Sequence, residues 1–518
     1  MRVLRILWHA TAIGILAVLN VEAKARDIPY TSVQQVTSIT QFNDVVPTDW
    51  AFQALANLVE GEGCVAGYPN GSFDGRKSIT RFEAAAVLNA CLDRIIDITD
   101  EMRRLITEFE HELALIRGRI DALDAGVLEL EASQFTTTTK LDGTANFVLN
   151  GNRFNGTAGK RVRNYNRNFG ATNLLFNLEL DLKTSFTGKD LLISKLRTGN
   201  FASDNSMAGG GPSNSSILDI AYASVDSGEP ILSIDKLFYQ FPLGSNITIT
   251  IGPNVAQDDM LGVWPSFYAT DPILNVTTMG GAPMAYNQNQ GVGAGITWAT
   301  DSGWSMSANY VAGEGHQGNS ETGGVATKHA SGSATVQLAY QKNEWTFAAT
   351  YSGLQNIEKD SYFAAYATPH YVDSISQAGF TNAFGVGGSW QPINSNWIPS
   401  ISAGWGINST SYNKGIPRNG LAKISQSWTI GLEWQDVLLA GNNAGMAVGQ
   451  PVFVTSQYGN HTPNDGNYVW EWWYQFQISD NISITPALFY LSRPLGQETP
   501  DGKTVQQLGG LVMTSFNF

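Results

Sequence analysis

Apolar and polar residues alternate one for one in segment after segment between Thr172 and Phe518, and the segments are parted alternately by short turns and by long loops. In the segment 468–478, Trp470, Trp472, Tyr474, Phe476 and Ile478 share one face, while Glu471, Trp473, Gln475 and Gln477 share the other. Successive strand residues point to opposite sides, so this segment has a greasy face and a mostly polar one. A strand that crosses a bilayer needs about 9–11 residues and an apolar outer face, with tight turns at one end of the hairpins and long loops at the other. The pattern therefore predicts a mainly β chain: a transmembrane antiparallel β-barrel. A soluble solenoid or passenger domain can alternate too, but it does not space its turns short, long, short.

Counting forward, sixteen strands are predicted near 141–149, 173–184, 191–199, 236–241, 247–252, 291–299, 304–311, 331–341, 345–354, 383–390, 397–407, 424–434, 445–455, 468–478, 482–491 and 507–518. An even number returns both ends of the barrel to one side. Trp298, Trp390 and Trp434 precede short turns and Trp304, Trp345 and Trp397 follow them, as an aromatic girdle at one membrane interface requires. Phe516 and Phe518 stand in phase at the end of the last strand.

Composition narrows the picture. Of 518 residues only 15% are charged and 53 are glycine, which is sparse charge and rich glycine for a soluble enzyme. Arg2 and Arg5, the apolar run Ile6 to Leu19 and the small-x-small triplet Ala23-Lys24-Ala25 read as a secretory signal over residues 1–25, with a single membrane anchor as the alternative. Export to an oxidising compartment would let Cys64 and Cys91 pair, stabilising their small domain by roughly 3–4 kcal/mol; two buried thiols are the other reading. A formal charge of -14 argues against a nucleic-acid partner.

Two further segments precede the barrel. Over 42–92, Phe42-Asn43-Asp44-Val45, Trp50-Ala51, Gly67-Tyr68-Pro69-Asn70-Gly71-Ser72-Phe73 and Ile79-Thr80-Arg81-Phe82-Glu83 follow one another around two amphipathic helices and a Pro/Asn/Gly turn, with Thr80 and Glu83 at capping-box spacing. In order and spacing these motifs resemble a single surface-layer-homology (SLH) domain. The resemblance implies an α-helical cell-wall binder, in which Trp50 and Arg81 face an anionic wall glycan and Asp44 and Gly71 shape the site. The fork of an arginine suits bidentate capture of a carboxylate. Internal pairing of Asp44, Arg81 and Glu83 is the competing reading. Over 93–131, Ile95, Ile98, Met102, Leu105, Phe109, Leu113, Ile116, Ile120, Leu123, Val127 and Leu130 recur at steps of three and four, the seam of a coiled coil. Such a stalk would reach about 58 Å at 1.5 Å per residue; buried against identical partners it predicts a trimer, and laid singly on its own barrel it does not.

Leu174-Leu175-Phe176-Asn177-Leu178-Glu179-Leu180-Asp181 and Ser185-Phe186-Thr187-Gly188-Lys189-Asp190-Leu191-Leu192 resemble the start of the carbohydrate-selective OprB-like porins. SLH head, coiled-coil stalk and a barrel over 140–518 together resemble the cyanobacterial outer-membrane porins often labelled iron-uptake porins. That resemblance implies a homotrimeric diffusion channel in outer-membrane lipid, tied to peptidoglycan, with its head and stalk in the periplasm. The labels name sugars in one branch and inorganic ions or iron in the other.

No catalytic constellation emerges. The histidines His9, His111, His316, His329, His370 and His461 stand one per segment, and no HxxxH, CxxC, P-loop or GxSxG pattern joins them. No cofactor and no metal site is expected, since the adjacent carboxylates Asp258 and Asp259 make a poor cage. Selectivity has two candidate carriers: Arg153, Lys160, Arg161, Arg163 and Arg167 between the first two strands, and Asp258 and Asp259 in the long loop between the fifth and sixth, with Trp264, Tyr268 and Asp271. Solvated charge on external loops explains either set equally well. The chain is thus expected to be a passive, weakly selective porin for small hydrophilic solutes and ions. The alternatives are a tether between membrane and wall, and a sugar channel in which an inward aromatic such as Trp473 would serve for stacking.

Overall fold

The structure, a computed structural model, describes Thr107 and residues 138–518 apart from 205, 227–228, 269–272, 358–365, 394–396 and 460–461. The signal over 1–25, the SLH-like head with Asp44, Trp50, Cys64, Gly71, Arg81 and Cys91, all of the stalk but Thr107, and Asp271, His9, His111 and His461 lie outside these residues. Residues 132–518 form one compact unit.

That unit is a closed barrel of sixteen strands: β1 (Thr139–Asn155), β2 (Asn173–Thr184), β3 (Leu191–Gly199), β4 (Ser233–Leu243), β5 (Ile247–Ala256), β6 (Gln290–Ala299), β7 (Trp304–Ala312), β8 (Gly332–Lys342), β9 (Trp345–Gln355), β10 (Gly379–Trp390), β11 (Ser400–Tyr412), β12 (Ala422–Trp434), β13 (Asn443–Gln457), β14 (Tyr468–Ser479), β15 (Ile482–Ser492) and β16 (Gln506–Asn517). Each predicted strand has its counterpart. The largest difference at a strand start is in β10, which begins four residues earlier than predicted, at Gly379; β11 begins three residues late because Pro399, with no N–H to give a ladder, closes the preceding turn.

Every strand pairs antiparallel with its sequence neighbour, and β16 returns to β1 with Thr144 opposite Asn517 and Asn155 opposite Gln506. The seam is finished by the last residue: Gly143 N–H donates to Phe518 O at 2.7 Å and Phe518 N–H to Gly143 O at 2.9 Å. Phe147 and Phe516 meet edge to face across it at 5.5 Å.

Alternation sorts the two surfaces. On β14, Trp470, Trp472, Tyr474 and Phe476 look outward, while Val469, Glu471, Trp473 and Gln475 are buried inside. The turns over 185–190, 244–246, 300–303, 343–344, 391–399, 435–442 and 480–481 lie at one end. At 343–344, one of the two shortest, Asn343 adopts φ 52°, a left-handed conformation that asparagine tolerates. Trp298, Trp304 and Trp345 are exposed at that end, with Trp345 6.2 Å from Trp390 and Trp304 5.2 Å from Tyr340.

The long loops gather at the other end, and they behave differently from one another. The loop 156–172 carries helix α1 (Gly159–Phe169), which lays Val162, Tyr165 and Phe169 on Phe154, Leu495 and Val505. Loops 200–232 and 257–289 turn inward. Leu218 and Leu274 bridge them, and both join a core with Val148, Trp473, Phe489 and Leu511 of the wall. A third loop, 356–378, inserts helix α2 (Pro369–Ile375), burying Tyr371 and Ile375 beside Met279 and Tyr286.

Candidate functional site

Charge is confined to one side of the barrel. Strands β1 to β4 carry Lys140, Asp142, Arg153, Glu179, Asp181, Lys183, Lys195, Arg197, Asp235 and Lys236, whereas β5 to β16 carry only Lys342, Lys423, Glu433 and Glu471. On β2 and β3 the charges fall at every second residue, and register sets Glu179 opposite Arg197 and Asp181 opposite Lys195. They therefore share the inner face.

The resulting wall is a mesh of ion pairs. Lys195 Nζ lies 2.8 Å from Glu179 and 3.7 Å from Asp181. Arg197 reaches Glu179 at 2.9 Å and Asp235 at 4.0 Å, donates to Asn177 Oδ1 and Ile220 O, and stacks its guanidinium 4.7 Å above the Tyr222 ring. On β4, Lys236 meets Asp259 at 2.7 Å. The Lys195 and Arg197 side chains keep 21% and 13% of their surface accessible, and Glu179 22%, so the mesh lines space that water enters.

Loop 257–289 crosses the lumen from this wall to the opposite one, and its polar groups are met at each step. Gln240 donates to Asp259 O, Asn309 to Gln257 O, and Val263 N–H to Gln337; Ser352 donates to Ala285 O and Ser427 to Gly281 O. The far anchor is Glu471, fully buried on β14. It accepts from Leu274 N–H at 2.9 Å, from the Thr277 hydroxyl at 2.8 Å and from the Tyr268 hydroxyl, and Trp473 Nε1 donates to that same hydroxyl at 3.0 Å.

Glycines make the seat. A Cβ on Gly404 of β11 would overlap the carbonyl oxygen of Gly280 in the loop, and one on Gly431 of β12 would run into the Tyr268 ring. Gly281, at φ 71°, turns the loop where it touches Gly404. Backbone thus packs on backbone where any side chain would hold the loop away.

Loop 200–232 lies beside the first. Asp219 N–H donates to Ile273 O and Asn275 N–H to Ile217 O, while Thr278 donates to the Asp219 carboxylate at 3.2 Å. Burial pushes the Asp219 carboxyl up to about 6; Arg197 pulls against that rise, and Glu179 and Asp258 add to it. Together the two loops cover the β11–β14 wall, where Glu433 and Glu471 are sealed at 1% and 0% exposure, and touch the charged β2–β4 wall at Arg197 and Lys236 while leaving it partly accessible.

The candidate residues part company here. Asp258 and Asp259 sit in the lumen, the first accepting from Gln288 and the second paired with Lys236. Arg153, Lys160, Arg161, Arg163 and Arg167 are all exposed on or beside α1; Arg161 donates to Glu498 O, Arg167 to Asn164, and they do not meet the two aspartates. Trp473 points inward but is buried against Tyr268 and Gly445, so it supports the loop and offers no open stacking face. His370 pairs with Gln457 at 2.8 Å, and burial lowers it despite the nearby Asp465 and Asp373. Among the described residues no group of three or more His, Cys, Asp or Glu is placed to hold a metal. Reading the chain by segment missed Lys195, Arg197, Lys236, Glu179 and Asp181; their signal was charge at period two in β2 and β3, in a chain whose strands from β5 onward carry almost none.

The model of the family described as "Carbohydrate-selective porin, OprB family" matches residues 100–516, and that of the S-layer homology domain matches 41–85. An uncharacterised protein of Nostoc sp. is 33% identical over 93% of this chain and 86% of its own, and one of Synechocystis sp. is 28% identical over 94% and 92%. The outer membrane protein SlpA of Deinococcus radiodurans is 32% identical over 20% of this chain and 10% of its own. Among solved structures, OprB of Pseudomonas putida aligns over 74% of this chain and 94% of its own, at 11% identity and a TM-score of 0.47.

Proposed function

The chain belongs to the OprB family of carbohydrate-selective porins, and from that premise we propose that it gives passive, weakly selective passage to small hydrophilic solutes and inorganic ions along the charged β2–β4 wall. It is an outer-membrane porin with an SLH region ahead of the barrel. The observation that carries the finer reading is the contrast between its two inner walls: one covered by loops 200–232 and 257–289, the other lined by Glu179, Asp181, Lys195, Arg197 and Lys236 with their side chains in reach of water. Paired charges of both signs orient polar solutes without holding any of them long, which is what diffusion needs.

Support for sugars as the main cargo is weaker. A sugar slide wants open aromatic faces in the lumen, and Trp473 has none to offer. In this reading Asp44, Trp50, Gly71 and Arg81 grip an anionic polymer of the wall, the seam over 93–131 joins three chains, and three SLH heads act together. Cys64 and Cys91 staple each head.

Liposome swelling with the purified protein tests the proposal. Sugars, amino acids and iron salts of graded size should enter at rates that fall smoothly with size and do not saturate. Saturable entry of one sugar, weakened by Trp473→Ala, would speak for a specific carbohydrate channel; no entry of any solute would refute passive passage.

A further inference from the structure

We propose that the path along the β2–β4 wall passes small metal cations in preference to anions, because its cations Lys195, Arg197 and Lys236 are outnumbered by the carboxylates of the wall, Glu179, Asp181 and Asp235, and of the two inward loops, Asp219, Asp258 and Asp259. The inference deepens the porin reading and rests on it.

Lys195 lies between Glu179 and Asp181, Arg197 lies on Glu179 with its face against Tyr222, and Lys236 lies on Asp259. An anion that enters finds no positive group without a carboxylate beside it. It gains contact with Lys195 or Arg197 only by displacing a carboxylate already paired there.

A cation meets the opposite situation. Asp219 and Asp258 stand on adjacent loops facing the same wall, and their hydrogen-bond donors are the neutral side chains of Thr278 and Gln288. The cations that face them, Arg197 and Lys236, are already paired with Glu179 and Asp259, so carboxylates are in excess, and a cleft with low-dielectric walls focuses the field of that excess into the path. The covered wall opposite adds no positive group: on strands β5 to β14 the inward charged residues are Glu433 and Glu471. With no cluster of three metal-ligating side chains among the described residues, a cation would be drawn through and not retained.

The test is the zero-current potential of the full-length protein in planar bilayers under a potassium chloride gradient, for the native chain, the double variant Asp219→Asn/Asp258→Asn and the single variant Lys195→Gln. The native channel should show a potassium-to-chloride permeability ratio above one. The double variant should lose that preference, and Lys195→Gln, which removes the ion pair of Asp181 and leaves Glu179 with Arg197 alone, should raise it. Shifts of opposite sign cannot both come from a loosened barrel. A native ratio at or below one, or a ratio that neither variant moves, overturns the inference while the porin reading stands. Absence of any current overturns both.

Discussion

The backbone N–H of Leu274 donates a 2.9 Å hydrogen bond to Oε2 of Glu471, joining the middle of the inward loop to the wall of β14 at a carboxylate that water does not reach. Since the Thr277 and Tyr268 hydroxyls converge on the same group, Glu471→Ala would strand two donors, Leu274 N–H and the Tyr268 hydroxyl, and leave Thr277 only its bond to Leu274 O. Each buried donor left unsatisfied costs about 1–3 kcal/mol. The barrel ladder does not depend on them, so the variant should keep its heat-modifiable gel mobility. Its single-channel current should turn noisy and, on average, larger as loop 257–289 leaves its seat. Tyr268→Phe, which removes one donor and leaves the acceptor, should do the same more weakly. Native conductance in both variants would dismiss Glu471 as the anchor.

Gly404 offers a test that involves no charge. Its missing Cβ is what lets the Gly280 carbonyl come down on β11, and overpacking of this kind costs typically about 1–3 kcal/mol. Gly404→Ala should lift the loop locally, lower the thermal midpoint slightly and change conductance. Gly420→Ala, at a position in the loop between β11 and β12 with open space around it though at φ 84°, should leave conductance alone. Equal conductance in native and Gly404→Ala channels would mean that the loop does not need this contact.

The state of Asp219 should make ion preference depend on pH. Its carboxyl is held up at about 6 by burial, so it is neutral below that value and ionised above it. Arg197, Glu179, Asp258 and the donor Thr278 are the groups that face it. The potassium-to-chloride permeability ratio should therefore rise as pH is raised through about 6, and Asp219→Asn should flatten that rise. A native ratio constant from pH 5 to pH 7.5 would contradict it.

Attachment and permeation should separate. If Arg81 holds an anionic wall group through charged hydrogen bonds, Arg81→Ala should weaken co-sedimentation with purified peptidoglycan by tenfold or more, on the scale of roughly 1.5–3 kcal/mol for such bonds. Swelling rates should not change. Deleting 26–132 should abolish sedimentation; loss of swelling as well would show that the stalk is needed to assemble the channel.

Most of the barrel was legible because lipid leaves no latitude. An outward residue must be apolar at every second position, and that rule alone located β1 to β16, down to Phe516 and Phe518 in phase at the seam. Loop destinations were less legible. The basic loop 156–172 and the acidic pair in 257–289 looked alike as candidates, yet only the second enters the lumen. What distinguishes them is what can be buried: loops 200–232 and 257–289 are built of Met, Ala, Ser, Gly and Asn with few charges, while α1 sets Lys160, Arg161, Arg163 and Arg167 on its wet face. Glu471 and Trp473 were legible as inward residues but not as partners of Tyr268, because alternation fixes a face and says nothing of what a distant loop will bring to it.

The central claim is an open aqueous path beside the β2–β4 wall, and single-channel recording of the purified mature protein addresses it most directly. The account predicts stable conductance steps, open without added substrate and grouped in threes. Well-folded protein that inserts and stays silent would contradict it.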